Sequence, residues 1–268
     1  MAKGTIKGQF GCKTDIGRVR VTNEDQAFAL INASGNVLLG VCDGMGGHNK
    51  GDYASRVASE IISEEFRSKS GFKSSLSVRL WLSRTIKKVN SRIYNYSYSN
   101  ATYKDMGTTL VLALFYKDLI YVVNIGDSRA YAVRFNDLKR LTEDQTYVEY
   151  LYRTGKITEE EMATSSQRHI LMNALGTFPS TSFEIKVYQN LKNPILLCSD
   201  GVYNNANVGC LIVVAKTLVQ QLLDDIGKVA WQRFAHLRAC VLAGSRLAHL
   251  YKTIDHHHIP FFHGGSPS

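Results

Sequence analysis

Val37-Leu38-Leu39-Gly40-Val41-Cys42-Asp43-Gly44 is a short apolar run that ends in an aspartate beside a glycine. Two other stretches repeat the pattern: Ile120-Tyr121-Val122-Val123-Asn124-Ile125-Gly126-Asp127 and Ile195-Leu196-Leu197-Cys198-Ser199-Asp200-Gly201. Runs of this length, bounded by glycine, read as buried strands. A carboxylate at the end of such a strand is held by a rigid scaffold at the edge of the core. Three carboxylates meeting at one rim repel each other unless a hard cation such as Mg²⁺ or Mn²⁺ sits between them. Asp-Gly after a strand is also ordinary turn chemistry. The Gly44-Met45-Gly46-Gly47-His48 that follows Asp43 weighs against that reading there, whereas a hairpin turn stays open for Asp127.

Outward from these strands, residues 5–41 read as a hairpin around the Asn-Ala-Ser-Gly-Asn turn at 32–36. A helix follows Gly47, with Tyr53, Ala54, Val57, Ala58, Ile61, Ile62 and Phe66 at helical spacing. A second helix over 74–95 is expected to face the core through Leu76, Leu80, Ile86, Val89 and Ile93, with Tyr96 and Tyr98 in its end and the following loop. Residues 107–142 predict three strands, 143–175 a polar helical segment starting near Thr158, and 183–189 and 194–199 two more strands. Strand-rich blocks around helices that are adjacent in sequence favour an α+β fold over a doubly wound sheet. Residues 208–238 have helical periodicity, and 239–268 show no clear strand.

The 268 residues, 44% of them hydrophobic, suffice for one sizeable core. No apolar stretch is long enough to span a bilayer and no signal peptide is visible, and the five scattered cysteines lack a CxxC pair. Free thiols and a cytoplasmic protein are therefore expected. The net charge is +9, and between Phe66 and Lys104 nine cations stand with no Asp or Glu. Such a face can dock acidic or phosphorylated protein or nucleic acid, or be a solvated helix surface; no nucleic-acid motif accompanies it. The tail beyond Asn204 holds six of the eight histidines, and the last glutamate is Glu184. His256-His257-His258 and His263 read as an adventitious cluster, since no carboxylate pattern supports them as ligands.

Further short motifs stand in order. They are Thr14-Asp15-Ile16-Gly17-Arg18-Val19-Arg20 with Asn23-Glu24-Asp25, Asp43-Gly44-Met45-Gly46-Gly47-His48, and Gly107-Thr108-Thr109-Leu110. Gly126-Asp127-Ser128-Arg129-Ala130-Tyr131, Leu141-Thr142-Glu143-Asp144-Gln145 with Ala174-Leu175-Gly176, and Cys198-Ser199-Asp200-Gly201-Val202-Tyr203 follow. Over roughly residues 8–203 the chain resembles the bacterial branch of the type 2C, metal-dependent serine/threonine protein phosphatases. The resemblance implies a four-layer α-β-β-α sandwich with two central antiparallel β-sheets. It implies one domain over 1–268, with a mobile flap at about 143–176 and an atypical C-terminal segment over 204–268. Its implied chemistry is hydrolysis of phosphoserine and phosphothreonine in proteins, including a serine/threonine kinase and its targets, with two Mn²⁺ or Mg²⁺ ions and a third, weaker one.

The resemblance gives Asp43 the role of bridging both ions, with the Gly44 carbonyl completing one shell and Asp200 holding the other ion. Asp127 helps hold the third ion, Arg20 clamps the substrate phosphate, and Glu24 and Asp25 orient metal-bound waters. Arg20 as a surface strand residue and Glu24 as a structural acceptor remain open. Met45 stands where eukaryotic relatives carry a histidine. A late Asp-Asn pair, whose aspartate would share an ion with Asp200, has no counterpart after Gly244, and Asp255 is a poor substitute. A break in the coding frame near Asn204 would produce the shift in composition. The departure motivates the alternative of a catalytically weak or inactive pseudophosphatase that binds phosphoproteins. The Cys12-x5-Arg18 spacing of thiol phosphatases reads as chance, because Asp15 would repel a phosphate and no helix follows. The sequence does not fix the oligomeric state, and a monomer is expected.

Overall fold

The computed structural model describes residues 8–16, 21–47, 50–134, 137–204, 211 and 237–244. The chain runs β1 (Gly8–Asp15), β2 (Asp25–Ile31), β3 (Val37–Met45), α1 (Lys50–Arg67) and α2 (Ser75–Ser99), then a short 3-10 turn, Ala101–Tyr103. Five strands follow: β4 (Gly107–Thr108), β5 (Leu110–Tyr116), β6 (Leu119–Ile125), β7 (Arg129–Val133) and β8 (Leu138–Arg140). After α3 (Tyr147–Arg153) and α4 (Glu159–Thr164) come β9 (Ile185–Gln189), β10 (Ile195–Cys198), the single turn α5 (Asp200–Tyr203) and β11 (Leu237–Gly244).

Two sheets stack face to face. One has the order β2-β3-β5-β6-β9, with β4 beside β3, and is antiparallel throughout. The other has the order β1-β11-β10-β7-β8; it is antiparallel across β10, β7 and β8, and takes in β11 parallel to both β1 and β10. Side chains alternate along a strand, so each β3 residue chooses one of two cores. Val37, Leu39 and Val41 face the second sheet, together with Val111, Ala130 and Leu197. Leu38 and Cys42 face the helices, and at Gly40, which shares their parity, the Phe28 ring fills the place of the missing Cβ. α1 covers this outer face through Ala54, Ala58, Ile62 and Phe66, a strict four-residue stripe of fully buried side chains. The helical periodicity over 208–238 falls outside the described residues save Leu211, which is buried, and Leu237 and Arg238, which belong to β11.

Several expectations need correction. The buried stripe of α2 is Val78, Leu82, Ile86, Val89 and Ile93, while Leu76 and Leu80 are 64% and 46% exposed. Leu80 lies about half a turn from Leu82, so a helix that buries one turns the other to solvent. The helix continues to Ser99 and therefore carries Tyr96, which stacks on Tyr53 with ring centroids 4.7 Å apart. The 32–36 turn closes only β2 on β3, since β1 belongs to the other sheet. Residues 107–142 hold five strands rather than three, because the short β4 pairs with the end of β3 and the short β8 adds an edge to the other sheet. β11 is a strand in a region where the sequence shows none. Leu237-Arg238-Ala239-Cys240-Val241-Leu242-Ala243-Gly244 has one β-branched residue, so its strand state comes from the open ladders of β1 and β10 on either side. Among the described residues, no helix is long and apolar enough to cross a membrane.

Candidate active site

The layer between the sheets changes character at one rim, and strand parity explains where. In β3 the residue after Val37, Leu39 and Val41 on the inner face is Asp43; in β2 the residue before Ala29 and Ala27 is Asp25. The two are directly opposite in the ladder. The same alternation carries β5 from Val111 back to Thr109, β7 from Ala130 back to Ser128, and β10 from Leu197 on to Ser199. An apolar core thus ends in a polar layer drawn from both sheets.

Hydrogen bonds tie that layer together. Ser199 Oγ donates to Asp25 Oδ2 at 2.7 Å, both residues being buried, and so joins the end of β10 to the start of β2. Ser199 is also the N-cap residue of α5, yet its hydroxyl does not cap that turn. The Thr109 and Ser128 hydroxyls lie 2.7 Å apart. The Asp43 main chain is clamped by its neighbour: its N–H donates to Thr109 Oγ1 (3.0 Å), and its carbonyl accepts from Thr109 N–H (2.8 Å) and Thr108 Oγ1 (3.0 Å). The Asp43 side chain is therefore aimed by backbone that cannot swing.

Gly44 follows with its N–H on the Glu24 carbonyl (3.0 Å). A Cβ there would stand 2.1 Å from the Gly51 carbonyl oxygen, so only glycine allows the first turn of α1 to close on this strand end. Met45 pairs with Gly107 beside it. Asp200 opens α5, and Asn204 Nδ2 approaches its Oδ2 at 3.4 Å. Asp127 is buried at the corner where the chain passes from β6 to β7. Arg20 and His48 lie outside the described residues, as do the histidines of the tail and the Asn204 boundary of the composition shift apart from Asn204 itself. Cys12 is exposed on the extended strand β1, not at a helix N-terminus, which removes the geometry a thiol nucleophile needs.

The electrostatics show that these acids feel one another. Loss of solvation, then the charges of Asp25, Asp200 and Asp127, push the Asp43 carboxyl well above the usual range. Burial, then Asp200 and Asp144, push Asp127 up to about 7. Among the described residues, no three acidic, histidine or cysteine side chains close into a compact cage. The donors are nonetheless carboxylate and carbonyl oxygens in a field short of positive charge. Such a set fits a hard cation that keeps much of its water and takes only one or two protein carboxylates directly.

A second cluster, missed by the sequence reading, braces Asp127. Tyr203, at the end of α5, donates its hydroxyl to the Asp127 carbonyl at 3.2 Å. Burial and the Asp127 charge keep that phenol protonated. The Arg129 guanidinium lies 3.5 Å from the centre of the Tyr203 ring and is anchored by Asp144 through Nε and Nη2, at 3.1 and 2.6 Å. Asp144 also pairs with Arg140. These groups border a cleft of about 550 Å³ that Arg168 and His169 also line. Asp144→Ala leaves two cations facing each other without their shared anion, and is expected to cost about 3 kcal/mol in urea unfolding. A loss below about 1 kcal/mol would show that solvent screens this cluster as it does a surface pair.

Two stacked sheets whose shared core ends in a carboxylate rim, flanked by an outer helical pair, define an α+β sandwich built around one acidic edge. The comparisons give that class its family. Residues 18–233 match the family model described as Protein phosphatase 2C. The chain is 36% identical over 193 residues to the serine/threonine phosphatase stp of Listeria welshimeri, covering 72% of this chain and 77% of that one. It is 33% identical over 207 residues to the serine/threonine protein phosphatase PstP of Mycobacterium tuberculosis, covering 75% of this chain and 38% of that one. The crystal structure of the serine/threonine phosphatase Stp1 from Staphylococcus aureus superimposes with a TM-score of 0.69 at 32% identity, over 80% of this chain and 88% of that one. The chain belongs to the protein phosphatase 2C family. The family match runs past Asn204, so the shift in composition there does not mark its end.

Proposed function

We propose that this protein hydrolyses phosphoserine and phosphothreonine in other proteins, using divalent cations held at the carboxylate rim. The observation that carries the reading is the convergence of Asp43, Asp200 and Asp127 at one rim, close enough that the charges of Asp200 and Asp127 help raise the Asp43 carboxyl above its usual range. When bound, a pair of Mn²⁺ or Mg²⁺ ions supplies charge neutralisation for the phosphate and a nucleophilic oxygen at neutral pH. Asp43 and Asp200 would hold the pair, with the Gly44 carbonyl as a further oxygen donor and Asp127 serving a third, weaker ion. Glu24 and Asp25 would orient water at the rim, with the Ser199 hydroxyl fixing Asp25. Arg20 would receive the substrate phosphate, a role that rests on the sequence motif.

In this reading residues 1–268 form one phosphatase domain. The segment 143–176 would act as a flap over the Asp127 cleft. The protein would work as a cytoplasmic monomer opposing a serine/threonine kinase. The test is hydrolysis of a phosphothreonine peptide with Mn²⁺ in excess and after chelation. Phosphate release that disappears with EDTA and returns with Mn²⁺ is expected. Metal-independent binding of the peptide without release would instead favour the phosphoprotein-binding pseudophosphatase.

A further inference from the structure

The chain's whole positive excess lies between Phe66 and Lys104, and the fold gathers most of it on one surface. Arg79, Arg84, Lys87, Lys88 and Arg92 are all exposed along α2, a helix with no acidic residue. From the neighbouring α1, Glu65 reaches across to Lys88 at 2.5 Å, while Glu60 and Glu64 stay exposed on their own helix. From the neighbouring sheet, the Ile185 carbonyl accepts from Arg79 at 3.3 Å. Among the described residues, no salt bridge involves Arg84, Lys87 or Arg92. A merely solvated helix intersperses charges of both signs; along α2 itself there is none of the opposite sign, and the acids nearby belong to α1.

The C-terminal turns of the same helix lead to the acidic rim. Tyr94 and Tyr98 stack with centroids 6.1 Å apart, and Tyr98 is 84% exposed. With Met45, Lys104, Asp105 and Thr177 they line a groove of about 780 Å³. Met45 is two residues beyond Asp43 on β3, and Tyr94 and Tyr98 belong to α2, so the groove lies between the strand that carries Asp43 and the C-terminal turns of the basic helix. Stacked tyrosines offer flat contact area at little entropic cost, which suits an extended polypeptide.

We propose that this groove and the outer face of α2 form a docking track for the substrate chain flanking its phosphorylated residue, selective for acidic flanks. The inference rests on the proposed phosphatase activity and adds a substrate preference to it. Two phosphothreonine peptides of equal length test it, one with Asp and Glu flanks and one with Asn and Gln in their place. At low ionic strength the acidic peptide is expected to have about tenfold higher kcat/KM, an advantage that shrinks as salt screens the charges. The triple variant R84E/K87E/R92E should lose that advantage while hydrolysing p-nitrophenyl phosphate as before.

Equal kcat/KM for the two peptides, or an unchanged preference in the variant, overturns the proposal. Fluorescence anisotropy with the labelled peptides reads docking without turnover. If no substrate is hydrolysed, the phosphatase reading fails, and the docking track is then judged on whether the acidic peptide binds the parent more tightly than the variant. An oligonucleotide that binds far more tightly than the acidic peptide, with steep salt dependence, replaces the proposal by a nucleic-acid surface.

Discussion

Asp43→Asn is expected to lower phosphopeptide turnover at least a thousandfold, on the order of 4 kcal/mol of transition-state stabilisation, and to make the chelated protein more stable rather than less. The two effects have one cause. Asp43 sits opposite Asp25 and within the field of Asp200 and Asp127, and its carboxyl resists ionisation first through loss of solvation and then through those charges. An amide keeps the shape and removes the charge, so the repulsion falls by about 1–2 kcal/mol while the strongest candidate ligand is lost. The main chain is held by Thr108 and Thr109 whatever the side chain, so the strand end stays in register. Thermal unfolding in EDTA and phosphate release in Mn²⁺, measured on the same preparation, separate the readings. A fall in both would make Asp43 a scaffold residue, and a near-normal turnover would remove it from the chemistry.

What the sequence made legible followed from local rules. Asp43 and Asp200 could be picked out because each closes an apolar run, and a run of that composition is a buried strand in almost any context. The α1 stripe was equally plain, since Ala54, Ala58, Ile62 and Phe66 repeat without interruption. The residues that assemble the rim were not legible in the same way. Thr109, Ser128 and Ser199 matter only because strand parity turns them inward, and parity has meaning only once it is known which sheets stack. Ser199 even imitates a helix cap in sequence, whereas in the fold its hydroxyl is committed to Asp25. Tyr203 and Asp144, far apart in the chain, act together through Arg129, a contact that no local pattern encodes. The α2 stripe is hidden in the sequence for a related reason. Leu76 and Leu80 are as apolar as the residues that pack, and only the position of the first sheet decides which face is inside. β11 reverses the usual order of argument, because its neighbours make it a strand and its composition does not.

In the chelated protein, unfolding free energy is expected to fall as the pH rises from about 4 to 7. An acid whose folded pKa lies above its unfolded value binds more protons in the folded state, so the stability linked to it is greatest below the unfolded pKa. That stability drains away as pH climbs through the folded value. Asp127 rises from the ordinary aspartate range to about 7, and Asp43 shifts in the same direction. At 1.36 kcal/mol per unit the Asp127 shift corresponds to at most about 4 kcal/mol. One described group works the other way: Lys186 and Arg153 lower the Glu143 pKa, so its contribution appears above the unfolded value and is lost in acid. Glu143 is 50% exposed, and solvent screening leaves it a small opposing share. Mn²⁺ should reverse the slope, since a cation binds the ionised carboxylates and stabilises the folded state by mass action. The shift in melting temperature caused by Mn²⁺ should therefore be near zero at pH 4–5 and grow steadily towards neutrality. Asp43→Asn should flatten the slope in EDTA and diminish the Mn²⁺ shift together, because one charge underlies both. A chelated protein whose stability stays level or increases between pH 5 and 7 would mean that the acids at this rim do not feel each other, and the basis for a cation site among them would go with it.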